Sequence, residues 1–158
     1  MLWYKYAPYL FWIGLSFLTG YVGAYLSFDG ITSWYATLTQ PSWTPPNWVF
    51  GPVWSVLYLG MGIAAAKVSK AAHRTGKKYA LRLFAVHLLL NASWSYVFFG
   101  LHLPVLAFII IIALWFYILL LILLFSTYSR RAGLLLIPYS LWVAYAGTIN
   151  AGIIFLNP

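Results

Sequence analysis

From Ala107 to Phe125 the chain carries no charged and no amide side chain. A run of that length is close to the ~20 residues with which a helix crosses ~30 Å of hydrocarbon. Hydrocarbon holds no water to satisfy a backbone N–H or C=O, so a crossing segment is a helix or a strand of a closed barrel. Barrel strands alternate apolar and polar residues, and this run does not. It reads as a membrane-spanning helix, and the rest of the chain must fold around it in the same solvent. With 64% of its residues hydrophobic and 6% charged, the chain has too little charge to cover a soluble domain.

Hydropathy and its interruptions place five spans, at about residues 8–26, 48–68, 79–99, 104–125 and 134–155. The expected fold is an all-α integral membrane protein, a five-transmembrane-helix bundle forming a single domain over residues 1–158. An extramembrane loop, residues 27–47, joins the first two spans, and the other connections are short. No internal repeat or linker is visible, and the aromatic-rich first span is expected to stay in the mature protein. An odd number of spans puts the two ends on opposite sides. Lys5, Lys67, Lys70, Arg74, Lys77, Lys78, Arg82, Arg130 and Arg131 then all fall on one side, with Asp29 on the other. The positive-inside rule makes the N-terminus cytoplasmic and the C-terminus external.

Several functions are excluded or disfavoured. The net charge of +8 does not indicate nucleic acid, because the cations sit at helix ends and not on a separate soluble domain. With no cysteine, disulfides and thiolate sites are absent. Asp29 is the only acidic side chain, so no carboxylate pair can serve general acid–base chemistry. No glycine-rich phosphate loop is present. His87 and His102 have no second ligand at metal spacing, so no metal site is expected.

Polar and aromatic residues recur inside three spans. His87, Asn91, Trp94 and Phe98 form one helical stripe, as do Pro138, Trp142, Ala146 and Asn150, and as do Trp54, Tyr58 and Met61. An unpartnered amide in hydrocarbon is costly, so Asn91 and Asn150 either bridge helices or line a cavity. Trp3, Trp12, Trp34 and Trp115 suit interface anchors. Trp54, Trp94 and Trp142 lie near Gly51, Ala92 and Ala146, and large rings beside small residues outline a slot for a flat ligand. A solid bundle could pack by the same alternation.

The loop carries "QPSWTPPNW" at residues 40–48. Pro41, Pro45 and Pro46 fix their own φ and restrict the preceding residues, so the segment is stiff before folding. Asn47 is expected to cap the second span by accepting an N–H near Phe50. Trp34, Tyr35, Trp43 and Trp48 give the loop an apolar underside, suited either to a lid over the bundle or to a segment lying flat on headgroups.

Three segments resemble one family. "WYATLTQPSWTPPNWVFGPVWSVLYLGMG" (34–62), "LNASWSYVFFG" (90–100) and "IPYSLWVAYAGTIN" (137–150) are similar, in order and spacing, to the motifs of the TspO/MBR family, the translocator proteins once called peripheral benzodiazepine receptors. The likeness covers nearly the whole chain. It implies a five-helix bundle whose ligand pocket lies under the first loop. It implies a receptor-like function, binding protoporphyrin IX, haem and synthetic aromatic ligands, with no required cofactor, and a homodimer meeting at the third span. Carried over by position, the pocket comprises Ala24, Trp48, Phe50, Gly51, Trp54, Asn91, Trp94, Trp142, Ala146 and Ile149. Trp34, Tyr35, Pro41, Trp43, Pro45 and Pro46 would form the lid. In some bacterial members, tryptophans matching Trp54 and Trp142 are tied to light- and oxygen-dependent porphyrin breakdown, so an enzyme is one alternative reading and a porphyrin or sterol transporter another.

The chain also departs from the family. The sterol motif of animal members, with Tyr and Arg late in the fifth helix, is replaced by "NAGIIFLNP". A tryptophan and an acidic residue of the fourth helix are Leu106 and Ile110 here. The missing sterol motif points to a bacterial inner membrane.

Overall fold

The computed structural model describes residues 3–72 and 75–158. His73 and Arg74 of the basic turn, and the side chain of Trp3, lie outside the described residues. The elements are α1 (Trp3–Thr32), α2 (Trp34–Thr37), α3 (Asn47–Ser69), α4 (Lys77–Ser95), a single π-helical turn (Tyr96–Gly100), α5 (Pro104–Tyr128) and α6 (Arg130–Leu156). Among the described residues, five helices are long and apolar enough to cross a membrane: α1, α3, α4 with its π turn, α5 and α6. They match the spans expected from hydropathy in number and order.

The helices run a few residues past the expected ends, as α6 does by starting at Arg130, and two corrections carry a physical reason. The first helix runs on through Ser27 and Asp29 to Thr32. Ser27 is buried and shares a hydrogen bond of 2.9 Å with the Ser95 hydroxyl on α4. Its polarity is satisfied inside the bundle and does not mark a loop. Further on, the Thr32 and Ser33 hydroxyls donate back to the carbonyls of Phe28 and Asp29, closing the helix end. The second correction concerns Asn47. It is the first residue of α3 and not its cap; the cap is Pro46, with no side-chain hydrogen bond. The Pro46 carbonyl accepts the Val49 N–H at 2.9 Å. Proline suits this position because its extended ψ of 142° turns the chain into the helix without needing a donor.

The core lies among α3, α4, α5 and α6, where Met61, Phe84, Leu114, Ile118, Phe125 and Leu136 are almost wholly buried. The most extensive helix pair is α5 with α6. Leu10, Phe11, Tyr21, Tyr25 and Phe28 of α1 are exposed, as suits a helix whose outer surface meets lipid. The cations gather at one end. Lys70 Nζ donates to the Lys5 carbonyl at 3.0 Å and stands over the Tyr9 ring, while Lys67 and Arg131 border one groove.

Helix α1 is held against α3 by a close backbone approach. A Cβ added at Gly62 would collide with the Cα and N of Ile13. Neither backbone can yield without separating the helices, so only glycine fits. Gly51, about three turns toward the loop, would meet nothing within 4 Å. Gly62→Val is therefore expected to cost about 1–3 kcal/mol by overpacking, whereas Gly51→Ala leaves stability nearly unchanged. Thermal unfolding of both variants in one detergent checks this; equal midpoints would contradict the close crossing.

Candidate functional site

The same pair of helices makes the site. They touch backbone to backbone at Ile13 and Gly62, then through the Tyr58 ring lying against Gly20, and are apart at Gly51. The wedge between them is a cavity of about 520 Å³. Helix α1 lines it with Phe17, Gly20, Tyr21, Gly23 and Ala24, and α3 with Phe50, Gly51, Trp54, Ser55 and Tyr58. Asn91, Trp94 and Ser95 of α4 and Phe99 of the π turn close the back, and Tyr35 of α2 reaches in from the loop. Tyr21, Ala24, Gly51 and Ser55 are all exposed, so the cavity is open sideways between α1 and α3. At that depth a side opening faces hydrocarbon.

Flat rings form its walls. Trp54 stacks on Tyr58, with centroids 5.5 Å apart and planes inclined by 27°. Trp94 stacks on Phe98 at 5.8 Å. Beneath the rings runs a chain of polar groups. The Tyr58 hydroxyl donates to Asn91 Oδ1 at 2.9 Å, and Asn91 Nδ2 donates to the Tyr139 oxygen at 2.9 Å. Tyr139 lies 2.8 Å from His87 Nε2. The arrangement that uses every one of these atoms has the Tyr139 hydroxyl donate to Nε2, with the imidazole proton on Nδ1. His87, Asn91 and Tyr139 are all buried, so the chain satisfies most of the groups that would be costly alone in hydrocarbon, with His87 Nδ1 left buried and unpartnered. A second link joins Trp94 Nε1, donating at 3.3 Å to Asn150 Oδ1, to Asn150 Nδ2, donating at 2.9 Å to the Pro104 carbonyl. Both amides thus bridge helices, and Asn91 also lines the cavity.

The loop lies over this end of the bundle. Tyr35 is buried edge-on to Phe98 and Phe99, and burial holds its phenol above the usual tyrosine pKa. Trp34 stacks on His102 at 4.6 Å; His102 itself adopts a left-handed φ of 58°. Pro41 and the Trp43 ring rest on Gly152 of α6, where any Cβ would strike Pro41. Tyr145 donates its hydroxyl to the Trp43 carbonyl. Asn157 clasps the loop from both sides: Oδ1 accepts the Thr39 N–H at 2.9 Å and Nδ2 donates to the Thr39 carbonyl at 2.9 Å. Pro45 is half-buried, and Pro46 caps α3.

Of the residues expected to line a pocket, Ala24, Phe50, Gly51, Trp54, Asn91 and Trp94 come together in the cavity, with Tyr35 at its roof. Trp48 is 75% exposed and is not among the lining residues. Trp142 stands behind Phe50, whose ring meets it edge-on at 5.8 Å; its indole N–H is buried without a partner. Ala146 and Ile149 are packed in the helix core. The whole α1 wall below Ala24, and Tyr58 as a lining group, went unseen in the sequence. The spacing of Gly20 and Gly23 on one helix was the available signal. Among the described residues no three His, Cys, Asp or Glu side chains converge as a metal site.

Comparison with known proteins agrees with the architecture. The model of the TspO/MBR family matches residues 12–156. The chain is similar to the tryptophan-rich protein TspO of Chlorobaculum tepidum, 40% identical over 147 residues, covering 92% of this chain and 93% of that protein. It is similar to protein CrtK of Rhodobacter capsulatus, 38% identical with 80% and 79% covered. It is also similar to the translocator protein of Bos taurus, 32% identical with 84% and 80% covered. The chain belongs to the TspO/MBR family.

Two outcomes follow from the polar links. Tyr139→Phe strands an Asn91 N–H and His87 Nε2, and is expected to cost about 1–2 kcal/mol, read as a lowered unfolding midpoint in detergent. Asn157→Ala is expected to leave that midpoint nearly unchanged while amide exchange at Thr39 and its neighbours rises. Unaltered exchange would mean that the clasp does not hold the loop.

Proposed function

We propose that this member of the TspO/MBR family binds planar tetrapyrroles, such as protoporphyrin IX and haem, and aromatic ligands of similar flatness, in the cavity between α1, α3 and α4. The observation that carries this reading is the cavity of about 520 Å³ walled by Trp54, Tyr58, Trp94 and Phe50. Stacked rings suit a planar, apolar guest, and each aromatic contact adds about 0.5–1.5 kcal/mol beyond the area it buries. Asn91 supplies a second amide hydrogen and a second oxygen lone pair for a polar edge of the ligand. Acidic substituents of a porphyrin point to the loop end of the slot, where exposed Asn47 lines it close to water, and Tyr35 and the proline-braced loop lie above the ring. The positive-inside rule assigns the cationic end to the cytoplasmic face, and the absent sterol motif favours a bacterial plasma membrane.

Light-driven breakdown of a bound porphyrin is a second reading, favoured by one observation. Trp54 lies in the cavity wall and stacks directly on Tyr58, so an oxidisable indole would touch the guest. Trp142 lies a ring further away, behind Phe50.

Titration of protoporphyrin IX into the detergent-solubilised protein, followed by tryptophan quenching, tests binding. Gly51→Phe, which fills open space, and Trp54→Ala are each expected to weaken affinity by roughly tenfold. Trp142→Phe is expected to leave affinity within about twofold, since its ring is screened by Phe50. Unchanged affinity in both cavity variants would refute the site. Repeating the titration under illumination in air separates the readings: a protein-dependent product spectrum that vanishes in Trp54→Phe supports breakdown, and identical bleaching with and without protein excludes it.

A further inference from the structure

A second concavity lies elsewhere on the molecule, between α3 and α6. On α3, Leu57, Gly60 and Ile63 face Leu134, Leu135 and Pro138 of α6 across a groove of about 480 Å³. At one end the groove is bordered by Lys67 and Arg131. At the other it shares Val56, Leu57 and Pro138 with a further hollow of about 560 Å³ that runs on past Trp142 to Tyr145. The helices are antiparallel, so residues at intervals of three and four on each turn their small and apolar side chains to one seam. The seam has room at Gly60, where an added Cβ would come only into ordinary contact with the Leu135 carbonyl.

The charges at the mouth have no protein counter-ion. Asp29 is the only acidic side chain, and it lies on α1 beyond the end marked by Lys5, by ~36 Å of helix. Lys70 is turned away toward α1, its Nζ on the Lys5 carbonyl. Lys77 is occupied by the carbonyls of Ser69 and Ala71. Lys67 and Arg131 are left as a pair of like charges from two helices at the head of an apolar channel. From Lys67 to Val56 the channel is ~16 Å long, close to half of the ~30 Å hydrocarbon thickness.

We propose that this groove is a site for one anionic glycerophospholipid. Its phosphate lies between Lys67 and Arg131, and one acyl chain lies along α3 and α6. Guanidinium and ammonium groups are the usual partners of phosphate, and basic pockets between spanning helices hold acidic headgroups. A second copy of the chain fits less well, since it brings no carboxylate to this end and adds further cations. The inference does not depend on the proposed tetrapyrrole cavity, which lies on the α1 side of α3.

Native mass spectrometry of the full chain in detergent tests it, with dioleoyl phosphatidylglycerol and dioleoyl phosphatidylcholine as probes. The acidic lipid is expected to bind roughly tenfold more tightly than the zwitterionic one. The double variant K67Q/R131Q is expected to abolish that preference, while K78Q/R82Q, which removes equal charge from α4, keeps it. Gly60→Leu, which fills the groove at unchanged charge, is expected to lower phosphatidylglycerol binding, and it decides the matter if K67Q/R131Q does not purify as a monodisperse protein. Millimolar inorganic phosphate is expected not to displace the lipid. The proposal is overturned by absence of a lipid preference, by equal loss in both double variants, by full binding in Gly60→Leu, or by phosphate competing the lipid off.

Discussion

The hydroxyl of Tyr139 is where three helices are tied together. It receives a hydrogen bond from Asn91 of α4 and faces His87 one turn away, while Asn91 in turn receives the hydroxyl of Tyr58 from α3. In water such bonds would trade evenly with solvent. In hydrocarbon the alternative is an unsatisfied group, so the faces of α3, α4 and α6 are set relative to one another. Apolar packing alone would not do this, because a leucine is as content against a lipid tail as against another leucine. The aromatic walls inherit their positions from the tie: Trp54 lies on Tyr58 and meets Tyr139 at its edge.

Helix α1 is held differently. It contributes no residue to that polar chain and is fixed by backbone contact at Gly62 and by the Ser27–Ser95 bond. Two fastenings of different kinds, with open space at Gly51, are what leave a cavity and not a filled bundle. The loop is secured by yet another means. Prolines limit its conformations, and it is held by one hydrogen bond from Tyr145 of α6 and two with Asn157 at the end of that helix. Tyr35, with Trp34 and Leu38 beside it, anchors one end of the loop in a small apolar core with Phe98, Ile149 and Ile153, and Pro41 is seated on Gly152.

The spans were legible because a helix in lipid must be uniformly apolar for its whole length, as Ala107–Phe125 is. The stripe His87–Asn91–Trp94–Phe98 was legible because polar groups in such a helix have to face protein. Where polarity was satisfied by a partner far off in the chain, the reading failed: Ser27 looked like loop until Ser95 stood beside it. Asn157 gave no sign, since its partner Thr39 lies 118 residues away. The α1 wall of the cavity was hidden for another reason. Gly20 and Gly23 mark a face for close helix packing, but the depth of a cleft depends on how two axes diverge, which no single segment encodes. Trp142 stood on the right stripe, but the Phe50 ring came between it and the cavity.

The gap between α1 and α3 faces sideways, with Tyr21, Ala24, Gly51 and Ser55 at its margin. A guest for such a gap dissolves first in the surrounding lipid and meets the protein from within that phase. Its chemical potential is then set by partitioning, so half-saturation expressed per volume of water drifts with the amount of lipid or detergent in the tube. The mole fraction of guest in the bilayer is the concentration to which this opening responds.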